Sequence, residues 1–261
     1  MNSDSKFTDI LSYQPAEGFL QGKNILVTGA ANGIGRAVAI ACASHGASVI
    51  LLDIDARGLK SVYDEIESKS YPQPIMVALD FQQASMESWE ELAGKLEDEF
   101  GVVHGLIHCA ADIGILCPLD NYDLDTWQRV MHVNLTSAYL LTRACLPLLQ
   151  KAGNGSIVFT TSEVALQSRA YWGAYAVAGH ALEGLAQVWT HELSGDRPVS
   201  INTIDPGVVA TRLRQSIYPG EDQATLRQPG DVAPLYIYAL EKSMNGVLTG
   251  ERLVMADLVK T

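Results

Sequence analysis

The stretch AYAVAGHAL (residues 174–182) places a single tyrosine, Tyr175, ahead of a run of small residues. A tyrosine hydroxyl can donate or accept a proton in catalysis when its pKa lies near the working pH. A neighbouring cation lowers that pKa, but the sequence has no lysine or arginine between Ala170 and Thr190. Tyr175 is therefore either a catalytic acid without its cationic neighbour or an aromatic residue packed in a helix.

A second chemical signal is the glycine-rich stretch TGAANGIG (28–35), which follows an apolar run and opens a helical pattern. Here Gly29 permits a tight turn, Gly33 lets the backbone approach a pyrophosphate, and Gly35 lets the helix pack closely on the strand. The free N–H groups of the helix N-terminus would favour the negative charge. The alternative is a plain tight turn. The predicted cofactor-binding residues of this stretch are Gly29, Asn32, Gly33, Ile34 and Gly35.

Asp53 ends the second apolar run, 18 positions after Gly35. A carboxylate at that position can accept hydrogen bonds from both adenosine ribose hydroxyls and repels a 2′-phosphate. Asn32 stands in the turn where an arginine would neutralise such a phosphate, so the sequence predicts NAD as the cofactor. The alternative for Asp53 is a loop carboxylate that caps the helix starting near Ala56. Asp80, which ends the third apolar run, either contacts adenine or has a plain loop role.

Short apolar runs alternate with helical patterns along most of the chain. Strands are predicted over 24–28, 47–53, 74–80, 104–110, 155–162, 199–205 and 251–256. Helices are predicted over 34–45, 56–69, 85–99, 123–150 and 172–194. This order implies right-handed βαβ crossovers. We therefore expect an α/β, Rossmann-like, doubly wound parallel sheet of about seven strands with helices on both faces.

The length of 261 residues fits one domain. We expect a partly ordered N-terminal arm over 1–22 and a single Rossmann domain over 23–261. Within that domain, 208–233 lacks strong periodicity and is expected to form a substrate flap or short helices outside the core.

The charge and cysteine content narrow the classes of partner. A formal net charge of −12, from 18 basic and 30 acidic residues, argues against nucleic acid and anionic membranes as partners. The four cysteines have no CxxC spacing, so they suggest neither a disulfide framework nor a zinc site. No apolar run is long enough for a transmembrane helix, and the N-terminus lacks signal-peptide features. We expect a cytoplasmic protein.

Taken together, these features resemble the classical short-chain dehydrogenase/reductase family over about residues 22–255. The resemblance is carried by the glycine stretch, Asp53, Asp80, VNLTSAYLLT around Asn134, GSIVFTTS ending in Ser162, Tyr175 thirteen residues later, and INTIDPGVVAT (201–211). By this resemblance, the catalytic residues are Asn134, Ser162 and Tyr175, and further cofactor contacts are Ala110, Pro206, Gly207 and Thr211.

The resemblance assigns a role to each catalytic residue. The Ser162 hydroxyl would polarise a substrate carbonyl, and Tyr175 would exchange the hydroxyl proton while hydride passes to or from nicotinamide. Asn134 would hold the fourth helix in place and bind a water of the proton relay. Simpler interpretations remain open: Ser162 caps a strand end, Tyr175 only packs, and Asn134 kinks a helix.

Three departures from the family pattern stand out. The tetrad lysine belongs four residues after Tyr175, where this chain has Gly179. At the end of the fourth strand, HCAA (108–111) replaces the usual Asn-Asn-Ala-Gly, which puts Cys109 in place of an asparagine. The C-terminal RLVMADLVKT lacks the usual Asp-Gly-Gly. Loss of the lysine is expected to lower the rate by roughly 10²- to 10³-fold, not to abolish it.

Three functions are compatible with these residues. The first is an NAD(H)-dependent oxidoreductase that interconverts a secondary alcohol and a carbonyl, impaired or modified by loss of the tetrad lysine. Arg169, which precedes the helix, is the candidate cation for folding back toward the site. The second is an NAD(H)-binding pseudoenzyme with a sensing or structural role, which Gly179 favours. The third is different chemistry that recruits Cys109 or His180. The sequence does not identify the substrate.

Assembly is also expected. Aromatic positions on the helices 123–150 and 172–194 include Trp127, Tyr139, Trp172 and Trp189. In the family these helices pair between subunits, which predicts a homodimer or homotetramer. The alternative is that the rings are buried within one chain.

Overall fold

Seven parallel strands form one sheet at the centre of the protein, whose computed structural model describes residues 10–195 and 199–258. The strands are β1 (Asn24–Thr28), β2 (Ser48–Asp53), β3 (Ile75–Ala78), β4 (Gly105–His108), β5 (Gly155–Thr160), β6 (Val199–Asp205) and β7 (Arg252–Val254). Their order is β3-β2-β1-β4-β5-β6-β7, with every neighbouring pair parallel. The predicted doubly wound, seven-stranded fold is confirmed.

Helices cover both faces of this sheet. They are α1 (Gly33–Ser44), α2 (Ala56–Ser68), α3 (Met86–Phe100), α4 (Leu124–Met131), α5 (Ser137–Lys151), α6 (Gly173–Glu192), α7 (Arg212–Ile217), α8 (Pro229–Met244) and α9 (Met255–Leu258). Side chains alternate between the faces along a strand. Thus Ile25 and Val27 pack with α1, α2 and α8, whereas Leu26 packs with α3, α5 and α6. Burial on both faces explains why the strands read as continuous apolar runs.

Several predicted boundaries differ from the structure. Four strands are shorter at their C-terminal ends than predicted: β3 ends at Ala78, β4 at His108, β5 at Thr160 and β7 at Val254. The predicted helix over 123–150 is divided into α4 and α5 by a π-helical turn, His132–Thr136. The residues after the strand ends leave the sheet and form the loops above its carboxyl edge, which is where an open α/β sheet binds its ligand.

The main error of the sequence prediction concerns α8. The expected flap over 208–233 does contain the short α7, but residues 229–233 already belong to a long helix of the core. Pro229 and Pro234 look like loop residues in a sequence, whereas proline is well accommodated at the first helical position, which Pro229 occupies. The apolar face of α8 packs on α1, with Tyr236 and Leu240 fully buried.

The described part of the N-terminal arm is docked onto α8. Ile10 and Leu20 are buried, and the backbone N–H of Ala16 donates to Glu241 Oε1 at 2.9 Å. Residues 1–9 of the predicted arm lie outside the described residues. Within the described ranges, no helix has the length and apolar character that crossing a bilayer requires.

Candidate active site

A cleft of about 870 Å³ opens above the carboxyl ends of the strands. It extends from Asp53 at the end of β2, past the glycine-rich turn after β1 and the loop after β4, to Ser162, Tyr175 and the loop after β6. The strand order reverses between β1 and β4, so the cleft lies at the topological switch point where ligands bind in such sheets.

The glycine-rich turn has the backbone that its sequence predicts. Gly29 and Gly33 have φ values of +66° and +55°, in the left-handed region that favours glycine. A Cβ on Gly29 would lie 2.8 Å from the backbone N of Ala110, and a Cβ on Gly35 would lie 2.2 Å from the carbonyl O of Gly29. Gly29, Asn32, Gly33 and Ile34 line the cleft, whereas Gly35 is buried beneath the turn. Asn32 caps α1 without a side-chain hydrogen bond, which leaves the first amides of the helix to a ligand.

Asp53 is largely buried at the end of β2 and faces the cleft. Its carboxylate accepts hydrogen bonds from the backbone N–H of Ala31 at 3.0 Å and of Asp55 at 2.9 Å. The alternative that Asp53 caps α2 is wrong, because the N-cap is Asp55, which accepts from the N–H of Gly58 at 3.0 Å. Asp53 is therefore held in place beside the glycine-rich turn, at the edge of the cleft.

The cleft lining near the end of β2 includes acidic side chains. Asn32, Ile54 and Asp80 line the cleft together with Asp53, and none of the three is basic. Asp80 accepts the backbone N–H of Gln82 at 2.9 Å, so it makes a loop hydrogen bond and also lines the cleft.

Ser162 and Tyr175 come together at the other end of the cleft. Ser162 follows β5 and precedes a 3₁₀ turn over Glu163–Ala165, and Tyr175 lies in the first turn of α6. Burial raises the pKa of Tyr175, a hydrogen bond with Ser162 lowers it in part, and the negative charge of Asp205 raises it further. No positively charged side chain in the described ranges acts on that pKa. The Trp172 ring packs against Tyr175, with 5.8 Å between centroids.

Asn134 lies in the π-helical turn between α4 and α5. Its Oδ1 accepts the backbone N–H of Asp112 at 2.7 Å, and its Nδ2 donates to the carbonyl O of Asp112 at 2.8 Å. The Asp112 carboxylate also pairs with Arg129 Nε at 2.7 Å. The amide of Asn134 therefore fixes the loop after β4 to the α4–α5 junction. This contact with Asp112 was not predicted.

Gly179 lies one helical turn after Tyr175 and contacts the 3₁₀ turn that follows Ser162. A Cβ at this position would lie 2.9 Å from Ala165 Cβ and 3.3 Å from Ala165 Cα. Beside it is a cavity of about 40 Å³, lined also by Ser162, Tyr175 and Asn134, with room for water. The missing side chain thus allows α6 to approach the Ser162 turn more closely than any larger residue would.

Arg169 and His180, the side chains that the sequence offers near the missing lysine, have other hydrogen-bond partners. His180 is exposed, and its Nδ1 lies 2.9 Å from the carbonyl O of Ala176 in its own helix. Arg169 donates to both carboxylate oxygens of Glu163 at 2.7 Å. The suggested recruitment of His180 is therefore wrong, since its side chain does not line the cleft.

Cys109 is also unsuited to nucleophilic chemistry. Burial raises the pKa of its thiol to about 12, although a hydrogen bond with Thr160 lowers it in part; Sγ lies 3.2 Å from Thr160 Oγ1. The thiolate is the reactive form of cysteine, so this thiol is inert at neutral pH. Its neighbour His108 stacks on Phe159, and burial lowers the His108 pKa to about 3, so the imidazole stays neutral.

The loop after β6 completes the cleft opposite the glycine-rich turn. Pro206, Gly207 and Thr211 all line it. Gly207 has φ +71°, and its N–H donates to Asp205 Oδ1 at 2.9 Å. Thr211 caps α7 by accepting the N–H of Arg214 at 3.1 Å. The structure thus places every predicted site residue except the buried Gly35 along the cleft or its adjoining cavity.

One group of functional interest was missed by the sequence reasoning. Arg252 of β7 extends behind Ser162 and pairs with Glu183 of α6 and with Asp205. The only sequence signal was the departure from the family pattern at the C-terminus, where Arg252 lies.

The fold and the cleft define a Rossmann-type α/β protein, and comparisons with known proteins identify the family. The family model "short chain dehydrogenase" matches residues 23–222. The "Uncharacterized oxidoreductase YciK" of Escherichia coli K12 is 39% identical over 230 residues, which cover 88% of this chain and 90% of YciK. The chain belongs to the short-chain dehydrogenase family, whose members are oxidoreductases with a nicotinamide cofactor.

Solved structures agree. A short chain dehydrogenase from Salmonella enterica serovar Typhi is 38% identical with a TM-score of 0.88, over 93% of this chain and 99% of that chain. A protein from Escherichia coli CFT073, solved in complex with NADPH, is 38% identical with a TM-score of 0.88, over 92% of this chain and 99% of that chain.

Proposed function

We propose that this protein is an NAD(H)-dependent oxidoreductase that interconverts a secondary alcohol and a carbonyl by hydride transfer. The observation that carries the proposal is the continuity of the cleft. It joins an acidic strand end, Asp53, to a hydroxyl pair, Ser162 and Tyr175, with the glycine-rich turn between them. A bound dinucleotide can span such a cleft with its adenosine at one end and its redox ring at the other.

The residues of the cleft fit a dinucleotide. Side chains at Gly29 and Gly33 would be strained by the left-handed backbone, and their absence leaves the backbone open to a pyrophosphate. The pyrophosphate would lie beside the N-terminus of α1, where Asn32 makes no side-chain capping hydrogen bond. Asp53 would accept hydrogen bonds from the ribose hydroxyls. Pro206, Gly207 and Thr211 would hold the carboxamide end of the nicotinamide.

The preference for NAD rests on Asp53. A 2′-phosphate would bring its negative charge against a largely buried carboxylate, with no basic residue among the described neighbours that line the cleft there. The relative from Escherichia coli CFT073 was solved with NADPH, so the binding titration must include the phosphorylated cofactor. Arg212 is a potential partner for a phosphate, but it does not line the cleft, and its Nη1 lies 3.9 Å from Asp55 Oδ2.

Ser162 and Tyr175 would perform the proton chemistry. The cofactor, when bound, supplies or accepts the hydride. The Ser162 hydroxyl would donate a hydrogen bond to the substrate oxygen, and Tyr175 would exchange a proton with that oxygen. Because burial raises the pKa of Tyr175, the phenol is protonated at neutral pH. This favours proton donation, and hence carbonyl reduction, as the faster direction at pH 7.

The competing proposal is an NAD(H)-binding pseudoenzyme, which the absence of a cation beside Tyr175 favours. A binding titration with NADH and NADPH, followed by a panel of ketones and secondary alcohols, distinguishes the two. We expect NADH to bind more tightly and at least one carbonyl to be reduced, with activity lost in Tyr175→Phe. Tight NADH binding without turnover on the panel would favour the pseudoenzyme, and failure to bind either cofactor would refute both.

We also propose a cytoplasmic homodimer or homotetramer. Trp189 is buried within the chain, stacked on Tyr139 with 5.6 Å between ring centroids, so this ring packs internally. The outer faces of α5 and α6 still expose Tyr139, Val177 and Val188. These apolar positions fit the helix pairing between subunits that is known in the family. Light scattering coupled to size exclusion measures the assembly.

A further inference from the structure

Arg252 contacts two separate loops of the cleft from behind. Its Nη2 donates to the carbonyl O of Ser162 at 3.2 Å and to Asp205 Oδ2 at 2.8 Å. Its Nη1 donates to Thr161 Oγ1 at 2.9 Å and pairs with Glu183. The Arg252 side chain is only 18% exposed, so these are desolvated, charge-assisted contacts, which are stronger than those at a surface.

The two acidic partners are themselves fixed. Glu183 accepts hydrogen bonds from the hydroxyls of Thr161 at 2.7 Å and Thr203 at 2.8 Å. Asp205 accepts the N–H of Gly207 through its other oxygen at 2.9 Å. The guanidinium therefore lies between a carboxylate anchored on α6 and a carboxylate that holds the loop after β6.

We propose that Arg252 is a positioning residue that fixes Ser162 and the 205–207 loop relative to each other at the redox end of the cleft. The inference rests on the proposed function, which assigns Ser162 to the substrate oxygen and the 205–207 loop to the nicotinamide. Nη2 contacts both loops, through the carbonyl O of Ser162 and Asp205 Oδ2, while Nη1 holds Thr161 and Glu183. The planar guanidinium therefore ties the two loops to each other and to α6. An ammonium group at this position has no such fork.

The adenosine end of the cleft does not depend on this contact. Asp53 is held by the N–H groups of Ala31 and Asp55, and Gly29 packs against Ala110. Loss of the arginine should therefore loosen one end of the cleft and leave the other unchanged. A general loss of stability would affect both ends of the cleft equally.

The experiment compares binding of NADH with binding of ADP-ribose, which lacks the nicotinamide. The variants are Arg252→Lys, Arg252→Met, and Arg252→Met combined with Glu183→Gln. The second change removes one of the two carboxylates that Arg252→Met leaves without an ion pair, which limits the cost to folding. Lys151→Met is the matched control, since it removes an exposed ion pair with Glu97 outside the cleft.

We expect Arg252→Met, alone or with Glu183→Gln, to weaken NADH binding about tenfold and ADP-ribose binding less than about twofold, as fits the loss of a charge-assisted contact to a binding loop. Arg252→Lys should give the smallest loss, and Lys151→Met none. Equal losses for the two ligands, or no loss for either, would overturn the proposal.

Hydrogen exchange separates this proposal from the proposed function. If the unmodified protein binds neither NADH nor ADP-ribose, the proposed function fails, but the contact can still be tested. Faster exchange in Arg252→Met confined to peptides over 160–166 and 205–211 supports the role of Arg252. Exchange that is unchanged there, or raised equally throughout the chain, refutes it.

Discussion

Restoring a lysine at position 179 tests the account of Tyr175 most directly. A cation about 4 Å from the tyrosine oxygen stabilises its ionised form by roughly 4 kcal/mol at an effective dielectric of 20. Solvent in the cleft screens part of this, so we expect the Tyr175 pKa to fall by about two units, at about 1.4 kcal/mol each. Alcohol oxidation near pH 7 should then rise by about 10²-fold.

The packing around Gly179 determines whether Gly179→Lys raises activity without a second substitution. A Cβ at 179 would lie 2.9 Å from Ala165 Cβ, so the 3₁₀ turn after Ser162 must move. Overpacking of this kind costs about 1–3 kcal/mol, against which the removal of a helical glycine gains only about 1 kcal/mol. We expect Gly179→Lys to melt at a lower temperature than the parent and to gain little activity, because Ser162 is displaced.

The double variant Gly179→Lys with Ala165→Gly removes the Cβ collision, and it should show the full gain. The assay is the pH–rate profile of alcohol oxidation, recorded with the melting temperature. Ala165→Gly alone and Gly179→Met with Ala165→Gly are the controls for packing and for chain length without charge. If the methionine variant gains as much as the lysine variant, or if the profile of the double variant does not move to lower pH, the electrostatic account of Tyr175 is wrong.

Three further predictions concern other groups of the cleft. Because the pKa of Tyr175 is raised above its usual value near 10, alcohol oxidation should increase about tenfold per pH unit from 7 to 9 without a plateau, whereas carbonyl reduction should be flat; a plateau below pH 9 contradicts this. Asp53→Asn removes the charge that repels a 2′-phosphate. The preference for NADH over NADPH, expressed as the ratio of their dissociation constants measured by titration, should therefore fall by about tenfold or more; an unchanged ratio means that Asp53 does not select the cofactor. Cys109, with a thiol pKa of about 12, should resist a mild alkylating reagent at pH 7.5 in the folded protein, and rapid labelling detected by mass spectrometry would revive a role for that thiol.

The amino-acid sequence by itself determined where the strands and most of the helices lie along the chain. Continuous apolar runs such as residues 49–52 are a local property, and a parallel sheet buried on both faces requires them. The glycine-rich turn was also predictable, because left-handed backbone at Gly29 and Gly33 is a property of single residues. The absence of a lysine at position 179 needed no structure at all.

Only the tertiary structure decided which side chains meet. The contact of Arg252 with Ser162 and Asp205 joins positions up to 90 residues apart. The close approach of α6 to Ala165 is possible only because residue 179 has no Cβ. The core role of α8 was hidden because its prolines indicate a loop locally, whereas burial against α1 stabilises the helix. Local preferences are encoded in neighbouring residues, but close packing and buried charge pairs depend on distances that exist only once the chain has folded.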